Sequence, residues 1–162
     1  MRHLLCVLAA LALSGCVSPY QGRPLSYGEF PAAEYQALPV SGDGRIAGRA
    51  FLKTRSGATR TAAGQDVALI PATRYMEPMY QAYQQQRPIG SPDPRAKIYT
   101  RLARADAEGR FSFDRVPAGR YYLTCDVSWE VPGTNGPTRA GAFIVAPLSL
   151  RQGEVVEVEL TR

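Results

Sequence analysis

From residue 120 onward the chain alternates. Tyr121, Leu123, Cys125, Val127, Trp129 and Val131 are separated by Arg120, Tyr122, Thr124, Asp126, Ser128 and Glu130. A period of two sustained over this length predicts a strand with one buried and one wet face. The pattern returns near the C-terminus, where Val156, Val158 and Leu160 alternate with Glu157, Glu159 and Thr161. Shorter runs of the same kind predict strands at residues 45–53, 66–71, 98–105, 110–114 and 141–146. Turn residues separate them. Asp106-Ala107-Glu108-Gly109 reads as a tight hairpin with Gly109 at positive φ, Pro117-Ala118-Gly119 as a second turn, and residues 132–137 (PGTNGP) as a third. Seven strands, short turns and almost no helix predict an all-β fold, a seven-strand antiparallel β-sandwich.

One connection does not fit a plain sandwich. Between Pro71 and Ile98 the chain is much longer than a turn requires, which commonly marks a functional loop. Met76, Met79, Tyr80 and Tyr83 recur there at the spacing of one helix face, with Pro78 acceptable in a first turn, so a helical insertion is expected at about residues 74–95. Two readings of that stripe stay open. It packs on the outside of the sandwich and closes an edge, or Tyr75, Met76, Met79, Tyr80 and Tyr83 form a surface for a partner, where Tyr and Met are favoured. Six of the nine tyrosines (Tyr20, Tyr27, Tyr35, Tyr75, Tyr80, Tyr83) lie outside the predicted strands, a skew that favours binding.

The N-terminus has a different character. Arg2 and His3 precede an apolar run from Leu4 to Leu13, which is shorter than the roughly 20 residues needed to span a bilayer. Leu13-Ser14-Gly15-Cys16 follows and resembles the bacterial lipobox: an aliphatic residue, two small ones, then the cysteine that is lipidated. The resemblance implies that residues 1–15 are a lipoprotein signal peptide and that Cys16 carries a thioether-linked diacylglycerol and an N-acyl chain such as palmitate. Several chains anchor a protein stably where one does not. Val17 stands where an Asp often retains such proteins at the inner membrane, so the expected location is the outer membrane, extracytoplasmic and lipid-anchored. Residues 16–42 carry Pro19, Pro24, Pro31 and Pro39 and are read as an extended Pro/Tyr-rich tether. Tyr20, Tyr27, Phe30 and Tyr35 are unusual in a passive spacer; they pack on the domain or contact a partner. The sandwich then occupies residues 43–162.

The stretch from Ala105 to Leu123, ADAEGRFSFDRVPAGRYYL, resembles the carboxypeptidase regulatory-like domain, a seven-strand sandwich of the transthyretin (prealbumin) type. Asp106, Gly109, Phe111, Phe113, Val116, Pro117, Gly119, Tyr121 and Leu123 match its Asp-x-x-Gly, Phe-x-Phe and Val-Pro-x-Gly-x-Tyr-x-Leu pattern. Gly44 to Gly48 and Val67 to Leu69 fit its first two strands. The matching positions are core and turn residues, so the resemblance implies a fold and little about function.

Composition narrows the chemistry. His3 is the only histidine and lies in the leader, so the mature chain lacks the general base of Ser/His or Cys/His catalysis and offers no zinc ligand set. Asp106, Glu108 and Asp114 are near one another but read as turn formers rather than as a glycosidase pair or a calcium site. Cys125 falls on the apolar face of its strand and reads as core. The formal net charge of +5 comes from arginines scattered among acids, which fits a solvated surface better than a nucleic-acid track. The sequence therefore reads as a non-enzymatic envelope lipoprotein, with no cofactor and no metal, acting as an adaptor for another envelope protein. The alternative is a carbohydrate-binding module, for which Tyr122 and Trp129 are the strand aromatics to hand.

Overall fold

The computed structural model describes residues 24–162; the leader, Cys16 and Tyr20 lie outside the described residues. Eight strands run in chain order: β1 (Gly44–Lys53), β2 (Thr59–Thr61), β3 (Asp66–Pro71), β4 (Arg101–Arg104), β5 (Arg110–Val116), β6 (Gly119–Val131), β7 (Thr138–Leu150) and β8 (Val155–Leu160). They form two four-stranded sheets. In the first, β1 pairs with β2, β5 and β8; the second runs β4-β3-β6-β7.

Three features depart from the sequence-based expectation. The strands number eight, because Thr59–Thr61 forms a short polar strand that no alternation announces. The sandwich is not purely antiparallel, since β8 lies parallel to β1 from Arg45↔Val155 to Ala50↔Leu160. A parallel neighbour needs a long crossover, and here nearly the whole domain supplies it. The Asp106–Gly109 turn is not a hairpin, for it carries the chain from β4 in one sheet to β5 in the other. Its chemistry is local: the Asp106 carboxylate accepts from the backbone N–H groups of Glu108 and Arg110, and Gly109 takes φ +80°. A Cβ on Gly109 would lie 2.4 Å from the Ala50 carbonyl oxygen, so the turn tolerates no side chain there.

The β6–β7 hairpin is the backbone of the second sheet, in register from Gly119↔Leu150 to Val131↔Thr138. β7 outruns its predicted span because it zips along β6 for its full length, and Pro147 is tolerated on an edge strand. Between the sheets lies the main core, which includes Ile46, Val67, Leu69, Phe111, Phe113, Leu123, Val127, Ile144 and Leu160. Cys125 belongs to this core, and burial pushes its thiol up to about 11, so it is protonated at neutral pH. Trp129 was expected inside and is only half-buried, because β6 runs past the closed part of the sandwich; Arg60 lies 5.8 Å from its ring centroid.

The second sheet is covered on its outer side as well. Tyr122 and Thr124, assigned by the alternation to a wet face, are buried. A second cluster encloses that face, built from Tyr35, Tyr75, Met76, Met79, Ala96, Tyr122 and Val145. Three short helices supply it: α1 (Ala32–Gln36), α2 (Glu77–Gln84) and α3 (Pro94–Lys97). The molecule is therefore a three-layer stack of sheet, sheet and helices.

The first of those helices lies in the segment expected to be an extended tether. Proline limits it to five residues, but Tyr35 is only 1% exposed and meets the rings of Phe30, Tyr75 and Tyr99. Leu25 bridges to Ile89, and Tyr27 packs on Tyr75. From residue 25 to Leu38 the chain is part of the fold. Burying aromatic rings outweighs the extended preference of a proline-rich stretch.

Candidate functional site

α2 is amphipathic and begins with proline in its first turn. Met79 and Ala82 face inward, and Tyr80 stacks on Tyr122 with ring centroids 5.2 Å apart. The side turned to solvent carries Glu77, Gln81 and Gln84. Between that side and the β6–β7 hairpin runs a groove of about 570 Å3, lined by Glu77, Tyr80, Gln81, Gln84, Arg120, Tyr122, Pro147 and Ser149. Its lining is polar and planar, with one carboxylate, two amides, a guanidinium and a hydroxyl around an aromatic pair. Burial pushes the Tyr122 hydroxyl above its ordinary range and Glu77 adds to this, while Arg120 partly opposes both.

A second groove, of about 480 Å3, crosses the end of the sandwich. One bank is the α1–β1 linker, with Leu38, Pro39 and Val40; the other holds Ile98 and Tyr99, and Arg101 and the β5–β6 turn close it. Val40 and Ile98 project almost fully into solvent, at 95% and 80% exposure. At the head of β6 the Tyr121 hydroxyl donates to the Pro117 carbonyl at 2.8 Å, which fixes the turn. Burial raises the Tyr121 pKa, and the Arg101 charge works against that rise. Ala72, Arg120 and Tyr121 line both grooves. The two depressions therefore meet at a ridge, and an extended ligand could lie across it.

Two other depressions are less suited to a ligand. The outer face of the first sheet holds a depression of about 830 Å3 among Arg45, Arg49, Arg110, Glu157 and Glu159, but Arg45 is paired with Asp114, and Arg110 with Asp106 and Glu108. A smaller one of about 340 Å3 lies at the tip of the β6–β7 hairpin beside Trp129 and Arg139. There Arg139 is committed to Asp126 and Ser128.

The stripe expected to form a partner surface is mostly turned inward. Tyr75, Met76 and Met79 are buried in the second cluster, and the Tyr75 hydroxyl accepts from the Asp93 backbone N–H at 2.8 Å. Tyr80 and Tyr83 are half-buried at its margin. The helix spends its apolar face on covering Tyr122 and Val145, so only Tyr80 and Tyr83 retain surface for a ligand or partner. Besides Glu77, Gln81 and Gln84 on the solvent side of α2, the residues that sequence reasoning missed are Arg101 and Arg120. Nothing in their local spacing marks them; only the tertiary fold places both along one groove.

No family model matches the chain, and no curated protein matches its sequence. Among solved structures, BcpA, the major pilin subunit of Bacillus cereus, aligns with a TM-score of 0.38 at 12% identity, over 74% of this chain and 30% of that one; a likeness this loose bears on neither fold nor function. The protein PA1324 of Pseudomonas aeruginosa, described as a candidate carbohydrate-binding protein, aligns with a TM-score of 0.71 and 32% identity over 83% of this chain and 98% of its own. A whole-length match at that identity establishes common descent, and the chain belongs to the same protein family as PA1324.

Proposed function

We propose that this protein is a non-enzymatic carbohydrate-binding module, held on the extracytoplasmic side of a membrane by lipid on Cys16. The observation that carries the reading is the groove beside α2, where Glu77, Gln81, Gln84 and Arg120 surround the stacked Tyr80–Tyr122 pair. Planar amide, carboxylate and guanidinium groups can each engage two neighbouring sugar hydroxyls, and the part-exposed Tyr80 ring beside them offers an apolar surface for the C–H face of a pyranose. Its family relationship to PA1324 supports the same reading. The Asp-x-x-Gly and Val-Pro-x-Gly-x-Tyr-x-Leu run supports a fold of the carboxypeptidase regulatory-like type. Burial of Tyr75, Met76 and Met79 leaves the adaptor reading with less surface than the sequence promised.

Titration of the full chain with a panel of envelope-type oligosaccharides tests the site. Glu77→Gln combined with Gln81→Ala is expected to weaken the best ligand about tenfold or more, since each lost hydrogen bond costs about 0.5–1.5 kcal/mol. Both residues are exposed, so the melting temperature is expected to stay within the scatter of surface substitutions. Binding that survives the double substitution unchanged would place the sugar elsewhere.

The anchor has its own test. Cys16→Ser is expected to move the protein from the membrane fraction to the soluble extracytoplasmic fraction, because the acyl chains supply the affinity. A variant that stays with membranes through a high-salt wash would show another attachment.

A further inference from the structure

Of the fifteen described arginines, five are held in ion pairs. Arg45, Arg95, Arg104, Arg110 and Arg139 each pair with a carboxylate. Arg101 and Arg120, which line the groove across the end of the sandwich, pair with none among the described residues. Arg101 is half-buried, and its guanidinium donates to the backbone carbonyls of Arg115 at 3.2 Å and Asp114 at 2.5 Å. Two neutral carbonyls orient the group without cancelling its charge, and a guanidinium has five N–H donors. One of those carbonyls belongs to Arg115, held in the left-handed region at φ 53°, a conformation that costs a non-glycine residue about 1–3 kcal/mol. Beside it the β1–β5 ladder slips register between Gly44 and Ile46. Irregular backbone of this kind often re-aims a side chain at a binding site.

The acids nearby form no ion pair with either arginine among the described residues. Glu34 is the one carboxylate lining this groove, and it accepts from the Arg74 backbone N–H at 3.2 Å. Glu77 lies in the neighbouring groove, on the α2 side of Arg120. Arg101 and Arg120 thus share the end groove with a single carboxylate, Glu34, and with Glu77 counted the two grooves together are balanced.

We infer that the ligand is an anionic carbohydrate, whose uronate carboxylate or phosphate ester sits between Arg101 and Arg120 while its neutral sugars lie along α2. The inference rests on the carbohydrate reading above and adds the chemical class of the sugar. A planar guanidinium matches both carboxylate and phosphate oxygens in pairs, and the contacts to Arg115 and Asp114 hold the Arg101 group in place while using only two of its five N–H donors.

The test uses matched ligands on the full chain. A uronate oligosaccharide is compared with the same molecule after its carboxyls are reduced to alcohols, and a phosphorylated oligosaccharide with its dephosphorylated form. In at least one pair the anionic member is expected to bind about tenfold or more tightly, in keeping with the strength of charge-assisted hydrogen bonds. Arg120→Gln, an exposed change that leaves the Arg101 contacts in place, removes a hydrogen-bond donor from both members and is expected to weaken the anionic member at least about fivefold more than the neutral one. Which pair shows the preference separates a uronate from a phosphate. Equal binding of both members in both pairs would overturn the anionic class and leave the carbohydrate reading standing. A preference untouched by Arg120→Gln would overturn the placement between the two arginines. Binding of no member of any pair would remove the carbohydrate reading, and this inference with it.

Discussion

Replacing Tyr35 by alanine is expected to cost about 3–5 kcal/mol of folding stability, the range for emptying a buried aromatic site. The ring is enclosed by Phe30 at 4.7 Å, Tyr99 at 5.0 Å and Tyr75 at 6.1 Å between centroids. Its hydroxyl accepts from Thr73, whose oxygen in turn accepts from the Met76 backbone N–H at the start of α2. Truncation removes the ring and leaves the buried Thr73 hydroxyl without its acceptor, and the two losses add. Tyr35→Phe keeps the ring but still leaves the Thr73 hydroxyl without its acceptor, and should cost about 1–3 kcal/mol. Urea unfolding of both variants separates the contributions. A loss below about 1 kcal/mol for Tyr35→Ala would mean that α1 is loosely attached and that the segment behaves as the free tether its prolines suggest.

The second large effect is expected in the main core. Leu123 lies at the middle of β6, opposite Leu69 on β3 and Ala146 on β7, with no exposed surface. Leu123→Ala should cost about 2–5 kcal/mol, because the sheet neighbours fix the backbone and the cavity cannot collapse. The spread depends on how far Val127 and Ile144 relax. A measured loss below about 1 kcal/mol would show that the faces of β6 are assigned the wrong way round.

Much of the fold could be read from period-two alternation, which found every strand but β2, with β4 and β7 differing in their ends, because each has side chains packed in the main core. The signal failed where the environment is not one-sided. Tyr122 and Thr124 looked solvent-facing because a covering layer of helices is a tertiary fact, invisible in the strand that it covers. β2 is three residues long and carries no buried side chain, so it left no pattern. The Asp106–Gly109 sequence specifies a turn but not whether the strands on either side stay in one sheet.

The candidate site was legible only in outline. The i, i+3, i+4, i+7 stripe located α2 correctly as a helix, while its role was split between packing and exposure. Tyr75, Met76 and Met79 took the packing role, since helix burial follows apolar area. The wall of the groove is formed instead by Glu77, Gln81 and Gln84 on the opposite side, and by Arg120, which the chain brings in from 36 residues beyond Gln84. No short-range spacing can announce a wall assembled that way. Tyr122 and Trp129, the aromatics first in view for a glycan, prove to be a stacked partner of Tyr80 and a half-buried ring beside Arg60.

The position of a bound oligosaccharide tests the carbohydrate reading most directly. On titration of the full chain, followed by backbone amide NMR shifts, the largest changes are predicted at Ala72, from Glu77 to Gln84, and from Arg120 to Tyr122. Shifts centred on Trp129 and Arg139 at the hairpin tip, or on the outer face of the first sheet, would contradict the assignment, and an absence of shifts with every oligosaccharide would contradict the function itself.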